Sequence, residues 1–590
     1  MVNDSYAGIK IIMRWAEEGK WLRFRNPIEV FHTADPKEVV SILGHIEKEV
    51  EAKKIYAAGF LAYEAGAAFD PAFSFRRGGD FPLLWFGLFR EAEPFAVPDV
   101  KSCPGWLPEW KSSVTQEEYK RAIQTVKKYI LQGATYQVNY SYRLHAPFAG
   151  DALPYFLQVA GAGNVPYAAF VETGRYAICS FSPELFFSLA GGVITSKPMK
   201  GTMPRGLRRE DDLAKSRELY SSEKNRAENI MIVDMVRNDI GRIAAPGTVA
   251  VPSRYDVEKF ATVWQMTSTV RARTSAPLVK ILQAIFPPAS ITGAPKVRTT
   301  QIIAELEKSP RRIYTGAIGF LAPGKRAQFN VAIRTLLVDH LRNEAEYGVG
   351  GGIVWDSVDA AEYDECAVKA KVVCVPPVDF SLLETFLWTP AEGVFLLDLH
   401  LARMKSSADY FDFKFDEKYA RRQISAFVSG LPSGPHRVRL LLNREGKVIC
   451  EAKPCPAPKG QNPDKTGTLV CPAKHPVASD DVFLYHKTTN RLVYENAKAL
   501  RPGYDEVILW NEKGKVTEFC TANIVVEMDG EMLTPPVKCG LLPGTYRAWL
   551  LAKGEIKEQV IETGMLRQCR RIFMCNSVRK MQEVRFEIGN

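Results

Sequence analysis

Several segments of this sequence place an amine among carboxylates, and those segments set the chemistry to be considered. In Lys197-Pro198-Met199-Lys200-Gly201-Thr202-Met203-Pro204-Arg205, Lys200 sits between a strand end and a glycine turn, ahead of a charged helix. Its amine either points into a cleft or is solvated on a loop. A free lysine has a pKa of about 10.4 and must be neutral to act as a nucleophile. A desolvating or cationic site has to lower that value, at roughly 3–4 kcal/mol. In residues 224–239, the mainly apolar run 230–236 has dense charges around it, with Glu228 before it and Asp234 within it. These acids are either salt-bridged surface groups or buried carboxylates, which need a partner such as a divalent cation. In Glu362-Tyr363-Asp364-Glu365-Cys366-Ala367-Val368-Lys369, residues 362, 365 and 369 share one helical face. That face is either a routine ion-paired surface or a holder for Mg²⁺ and a substrate carboxylate.

Two glycine-containing segments exclude nucleotide sites. Ser290-Ile291-Thr292-Gly293-Ala294-Pro295-Lys296 lacks the G-x-x-x-x-G-K-[ST] frame of a phosphate loop. Gly348-Val349-Gly350-Gly351-Gly352 has no following helix, which a dinucleotide fingerprint requires, and instead lets backbone approach a ligand closely.

A second set lies near the C-terminus. His400 and Arg403 open a helix with an apolar face. Lys487 stands in Tyr485-His486-Lys487-Thr488-Thr489-Asn490-Arg491, after a predicted strand and before a helix-like run to Leu500. Glu518 precedes Thr521-Ala522-Asn523 and a strand over 524–528, and Leu542-Pro543-Gly544-Thr545 reads as a helix start. Backbone N–H groups and a hydroxyl at such a start can hold a phosphate. Taken singly, each of these features is as consistent with a structural role as with a functional one.

The elements that must position these groups divide in two. A helical pattern ends at Val372-Val373-Cys374-Val375-Pro376-Pro377, where the proline pair forbids continuation. The expected domains are 1–375 and 380–590, with a Pro- and Gly-containing linker over 453–466 inside the second. In the first, strands over 167–172, 192–196, 317–320 and 327–337 lie among helices over 117–132, 211–239 (in pieces) and 359–372, which argues for an α+β fold. The 590 residues carry a formal net charge of +10 and no long basic run, which argues against nucleic acid and suits small anionic substrates. Eleven cysteines without C-x-x-C pairs suggest neither a disulfide framework nor zinc. Charges throughout residues 1–20 preclude a signal-peptide core, and no stretch has the apolar length of a membrane span, so a cytoplasmic location is expected.

In order, Tyr136-Gln137-Val138-Asn139, Ser180-Phe181-Ser182-Pro183-Glu184, the Lys200 segment, the Glu228 helix, 290–296, Tyr314-Thr315-Gly316, Asn330-Val331-Ala332-Ile333-Arg334 and 362–369 resemble the chorismate-utilising enzymes of the anthranilate synthase component I type. The resemblance covers most of 110–375, with Gly59-Phe60-Leu61-Ala62-Tyr63-Glu64 before it. Anthranilate-forming members carry Ala in the Lys200 slot, whereas members that aminate chorismate at C4 carry Lys. The resemblance therefore implies that Lys200 attacks C2 while Glu184 protonates the leaving C4 hydroxyl. It implies Mg²⁺ on Glu228, Glu362 and Glu365. It implies substrate contacts from Thr292, Gly293, Tyr314, Arg334, Gly351 and Lys369. Ammonia would come from a separate glutamine amidotransferase subunit, since no cysteine here sits in a recognisable nucleophile setting.

The ordered set His400…Arg403, Lys487, Glu518, 521–523 and Gly544-Thr545 resembles the fold type IV pyridoxal-phosphate enzymes, which include branched-chain and D-amino-acid aminotransferases and aminodeoxychorismate lyase. The resemblance spans roughly 382–580 and implies an α/β domain of D-amino-acid aminotransferase type. By it, Lys487 carries the cofactor, Glu518 pairs with the pyridine nitrogen, and Arg403 and Thr545 hold the phosphate. Thr521, Ala522 and Gly544 complete the cofactor site, and Thr385 and Asn576 meet the substrate. Family members carry about 25 more residues before the 383–388 strand, so the small sheet is expected to be trimmed or to borrow a strand. The joint expectation is C4 amination of chorismate followed by pyruvate elimination to 4-aminobenzoate, with a homodimer formed through the C-terminal domain. The alternative is an anthranilate- or isochorismate-forming domain joined to an amino-acid aminotransferase.

Overall fold

The computed structural model describes residues 8–76, 78–98, 108–162, 165–374, 378–455 and 467–587. The expected 453–466 linker falls mostly outside these, as do the prolines of the 372–377 segment. The chain forms two compact units: residues 1–204 with 216–377, and residues 205–215 with 378–590. The 205–215 segment was assigned by sequence to the first domain and is grouped here with the second.

The first unit contains two ten-stranded sheets in which neighbouring strands pair antiparallel. Alternation along the strands builds the layers. Ile11 and Met13 join Phe24, Phe60, Trp85, Ile178, Phe320 and Leu337 in a core with side chains from both sheets, whereas Ile12 belongs to a separate core with helices Gln116–Leu131 and Lys296–Leu306. The other outer core packs helices Pro36–Lys53, Glu223–Gly241 and Leu278–Ile285 on the second sheet through Val39, Leu43, Ile232 and Ile281. Helix starts follow local chemistry: Asp35 accepts from the Lys37 amide ahead of Pro36, and Thr115 with Glu118 makes a reciprocal capping box.

The expected 327–337 strand is two strands, Arg326–Val331 in the second sheet and Thr335–Asp339 in the first. Arg334, at φ +50°, lies in the link where the chain changes sheet. Lys200 also differs from expectation: it lies inside strand Met199–Pro204, at a register shift against Val263–Arg273, and not on a loop.

The second unit holds a four-stranded sheet built from Gly393–Val394, Leu382–Thr389, His436–Leu442 and Val448–Pro454, covered by helices Leu397–Phe411 and Glu417–Ser429. Among the described residues its four strands all come from 382–454. An eight-stranded sheet follows, and an additional pairing of Val516–Phe519 with Asn523–Met528 closes six of its strands into a barrel. Val470, Ile508, Ile524, Ile572 and Met574 belong to one core cluster of this sheet. Lys487 follows a short 3₁₀ turn, Val482–Leu484, where the sequence suggested a strand.

The intersheet core of the first unit sets its stability. Phe60 is fully buried there among Phe81 and Trp85. Phe60→Ala should destabilise the unit by about 3–5 kcal/mol, read as a lower urea midpoint with an unchanged slope.

Candidate active sites

In the first unit, two of the places where the chain changes sheet lie together. Strand Tyr176–Ser180 of the first sheet is followed by Leu185–Ala190 of the second, with Glu184 in the link. The Val331 amide donates to the Glu184 carbonyl (3.1 Å) and the Phe181 amide to the Arg334 carbonyl (3.0 Å), so the Glu184 and Arg334 links are bonded to each other. Both side chains reach a cavity of about 340 Å³. Its wall also holds Lys200, Glu228, Tyr314, Glu362, Glu365 and Lys369. Sequence reasoning did not single out Asn139, Lys224, Asn225 or Gln265, which line it too. Gln265 Nε2 donates to the Gly201 carbonyl (2.8 Å) and thereby fixes the strand that bears Lys200. Thr292 and Gly293 do not reach the cavity: the Thr292 hydroxyl donates to Pro288 O, and Gly293 pairs with Val138. Gly351 likewise faces Glu362 and Lys369 and does not line the cavity.

The charges are sorted by their partners. Burial pushes the Lys200 ammonium below its usual range, and Lys369 pushes it the same way against the carboxylates of Glu228, Glu365 and Glu184. Lys369 is only half-buried and is also desolvated, but it donates to Glu365 (2.8 Å) and to Gly350 O (2.9 Å), and that carboxylate overrides desolvation to raise it to about 12. Burial raises Glu184 to about 7, against a 2.6 Å hydrogen bond from Ser290 and the charges of Lys200 and Arg334. The cavity thus pairs a lysine biased toward the neutral amine with a carboxyl that keeps its proton near neutrality. Glu362 accepts from Ser357 (2.7 Å), and burial raises its pKa. Among the described residues no three His, Cys, Asp or Glu groups stand close enough together to hold a metal. Glu228, Glu362 and Glu365 share the cavity without forming a closed ligand cage.

The glycine strip permits this packing. A Cβ on Gly352 would collide with Lys200 Nζ and Gln137 Nε2, and one on Gly348 would enter the Tyr314 ring.

In the second unit, a cavity of about 700 Å³ is lined by Lys487, Glu518, Arg403, Thr521, Ala522, Gly544 and Thr545, together with Thr385 and Asn576. All the residues expected at the cofactor and substrate sites therefore reach one space. Burial, with Arg403 adding to it, lowers Lys487 to about 8. Glu518 stands at the barrel closure, opposite Asn523. It accepts from the Tyr494 hydroxyl (2.9 Å), Asn523 Nδ2 (3.2 Å) and the Leu542 amide (3.1 Å), and burial raises it to about 7. Gly544 caps helix Thr545–Lys553, and a Cβ there would strike Asn523. This donor set fits pyridoxal phosphate: an amine for the aldehyde, a carboxylate for the ring nitrogen, and a glycine-capped helix start with Arg403 and Thr545 for the phosphate.

Residues 10–374 match the chorismate binding enzyme family, and residues 381–585 match amino-transferase class IV. The chain belongs to the chorismate binding enzymes. It is similar to aminodeoxychorismate synthase component 1 of Klebsiella aerogenes, at 44% identity over 53% of this chain and 75% of that one. Against the Escherichia coli K12 protein of the same name the identity is 41%, over 45% of this chain and 58% of that one. Among solved structures, anthranilate synthase component I from Streptococcus pneumoniae shares the fold of the chorismate-binding unit, with TM-score 0.50 and 24% identity over 62% of this chain and 90% of that one. No helix among the described residues of this chorismate binding enzyme is long and apolar enough to cross a membrane.

Arg403 lines the second cavity while also bonding Glu384 through Nε (2.8 Å) and Nη2 (2.6 Å), and His400 Nδ1 lies 2.6 Å from the same carboxylate. Burial alone would raise Glu384, but Arg403 and His400 hold it down to about 2. A depressed carboxylate stabilises the fold above its unfolded value, near 4.5, and that stability is lost as pH falls toward 2. Glu384→Gln should remove about 3–5 kcal/mol at neutral pH by leaving Arg403 uncompensated. Acid unfolding between pH 4.5 and 2 should also be shallower in the variant than in the parent.

Proposed function

We propose that this chain makes 4-aminobenzoate from chorismate and ammonia, its first unit aminating C4 of the ring and its second eliminating pyruvate. The observation that carries the reading is the Lys200 amine, half-buried and desolvated in the wall of a cavity that also holds Glu184, Arg334 and Lys369. Neutral Lys200 Nζ attacks C2 and the ring electrons shift. The C4–O bond breaks as Glu184 passes its proton to the hydroxyl, which departs as water. Ammonia then adds at C4, the electrons shift back, and Lys200 leaves from C2. Arg334 and Lys369 are the fixed cations for the substrate carboxylates. Glu228, Glu362 and Glu365 do not close a metal site by themselves; they would hold Mg²⁺ only together with the ring carboxylate of the substrate, where the ion would supply positive charge.

In the second unit, pyridoxal phosphate, when bound, supplies the electron sink that acidifies the C4 hydrogen. Lys487 takes that proton and returns one to the departing enolpyruvate, and aromatisation drives the step. The lyase reading over an aminotransferase is supported by Arg437, Arg439 and Arg579, which line the cavity beyond Arg403. Arg437 and Arg439 alternate along strand His436–Leu442, with Arg439 in register with Thr385, so they share a face. Such a wall suits aminodeoxychorismate, which carries two carboxylates. The reading brings with it a separate glutamine amidotransferase, a homodimer formed through the second unit, and a cytoplasmic location.

Full-length protein given chorismate, Mg²⁺ and ammonia should release 4-aminobenzoate, followed by mass spectrometry. Lys200→Ala should stop amination, and Lys487→Ala should accumulate aminodeoxychorismate. Anthranilate as the product would overturn the assignment of the first unit. Gly352→Ala should slow amination on the order of 10- to 100-fold by displacing Lys200, while turnover of added aminodeoxychorismate stays at the parental rate.

A further inference from the structure

The amination chemistry leaves a proton to be accounted for. If ammonia enters neutral and the product leaves as an ammonium, the balance is chorismate + NH₃ + H⁺ → aminated product + H₂O. The proton consumed is the one Glu184 gave to the hydroxyl, so one proton must return to Glu184 in each turnover. Substrate and product occupy the 340 Å³ cavity on which Glu184 opens.

Glu184 also lines a second space. A small cavity of about 20 Å³ is bounded by Glu184, Ser290, Ser196 and Asp239, with apolar side chains such as Val236 and Ile285 making up the rest. That volume is enough for a single water, and the four polar residues offer the partners a buried water needs. Ser290 lines both cavities and donates to Glu184 Oε1 at 2.6 Å. Asp239 comes from helix Glu223–Gly241 and is bonded by Lys296 Nζ at 2.7 Å. Lys296 also donates to Ile285 O at 3.1 Å. Both side chains of the pair are partly exposed, at 17% and 13%, so the pair has access to solvent. Neither Asp239 nor Lys296 has a part in the chemistry above, although Lys296 ends one of the sequence segments that carry the family resemblance.

We propose that Asp239, paired with Lys296, returns protons to Glu184 through a water held in this second cavity, with Ser290 as the hydroxyl link. This inference rests on the amination reading. A proton passes from solvent to the Asp239 carboxylate, from there to the water, and from the water, directly or through Ser290 Oγ, to Glu184, each oxygen giving up one proton as it receives another. Burial raises Asp239 against the lowering influence of Lys296 and Arg242, which brings it closer to Glu184, itself held between Lys200 and Arg334. Asp239 is a positioning residue in this scheme, since it touches neither the substrate nor the reacting atoms.

The test is rapid-quench kinetics of full-length protein with chorismate, Mg²⁺ and saturating ammonia at pH 8. Asp239→Asn should show a first turnover at the parental rate followed by steady-state turnover slowed about tenfold, and a larger solvent deuterium isotope effect on kcat only. Val236→Ile, which fills the cavity and leaves Asp239 in place, should give the same burst. Steady-state rates equal to the parent in both variants would overturn the proposal. So would equal losses in the first and later turnovers, which would mark Asp239 as merely structural. If Asp239→Asn does not fold, Val236→Ile decides by the same criteria. A parent that forms no aminodeoxychorismate would instead overturn the amination reading, a separate and visible failure.

Discussion

Arg311 is buried to 1% exposure and commits all five of its donors. Nε and Nη2 bond the two oxygens of Glu307, Nη1 reaches Ile291 O and Thr315 Oγ1, and Nη2 also reaches Asn139 O, with Tyr63 against the guanidinium face. Three parts of the chorismate cavity wall are thus tied to one cation: the Ser290–Ile291 turn, the strand bearing Asn139, and the segment bearing Tyr314. Glu307 extends the tie, accepting from the Ser141 amide and hydroxyl and facing Arg143. A buried pair of this kind contributes little net stability when complete, but it is costly to break, by about 3–5 kcal/mol. Its value to this fold is geometric: the backbone carbonyls it holds cannot shift without leaving a buried charge unsatisfied.

With that wall fixed, the two sheet changes that bear Glu184 and Arg334 can present side chains with little freedom. A strand offers side chains alternately to two faces, and neither face of a packed sheet is a cleft. A residue in the link between sheets escapes that alternation. Glu184 and Arg334 both do so, and Arg334 takes a left-handed backbone conformation that a continuous strand would not allow. The glycine strip then lets Tyr314 and Lys200 pack against bare backbone, which brings the amine near enough to its neighbours to be desolvated.

This explains what could be read from residues alone. The α+β architecture of the first unit and the family of each half were legible, because ordered short motifs and hydrophobic period survive in one dimension. The 327–337 run was misread as one strand because Val331, Ala332 and Ile333 are apolar throughout, and a change of sheet leaves no break in hydropathy. Thr292 and Gly293 were expected at the substrate from the family resemblance; in three dimensions their segment turns only Ser290 and Ile291 toward the cavity. Arg311, Gln265 and Arg437 were invisible for another reason. Arg311 and Gln265 reach carbonyls distant in sequence, those of Asn139 and Gly201, Arg437 is known only by the cavity it lines, and nothing in the local pattern marks an arginine or glutamine as buried or cavity-facing. The grouping of 205–215 with the second unit rests likewise on contacts made elsewhere, such as the Tyr410 hydroxyl donating to Gly206 O.

The same burial gives opposite protonation states within each unit, and the difference lies in the kind of partner. Glu384 is bonded by the Arg403 guanidinium, with His400 beside it, and is held ionised to about 2. Glu518 is equally buried, yet the three donors on it are neutral dipoles from Tyr494, Asn523 and Leu542, and it rises to about 7. Dipoles orient a carboxylate without discharging the cost of desolvating it. A carboxylate left in that condition gains most from a single cation delivered to it, and a protonated ring nitrogen is such a cation. Lys369 and Lys200 make the converse pair: the one with a carboxylate at 2.8 Å stays charged, and the one without is driven toward the free amine. In each pair the group with an opposite charge at hydrogen-bond distance stays ionised, and the group without one is driven toward its neutral form.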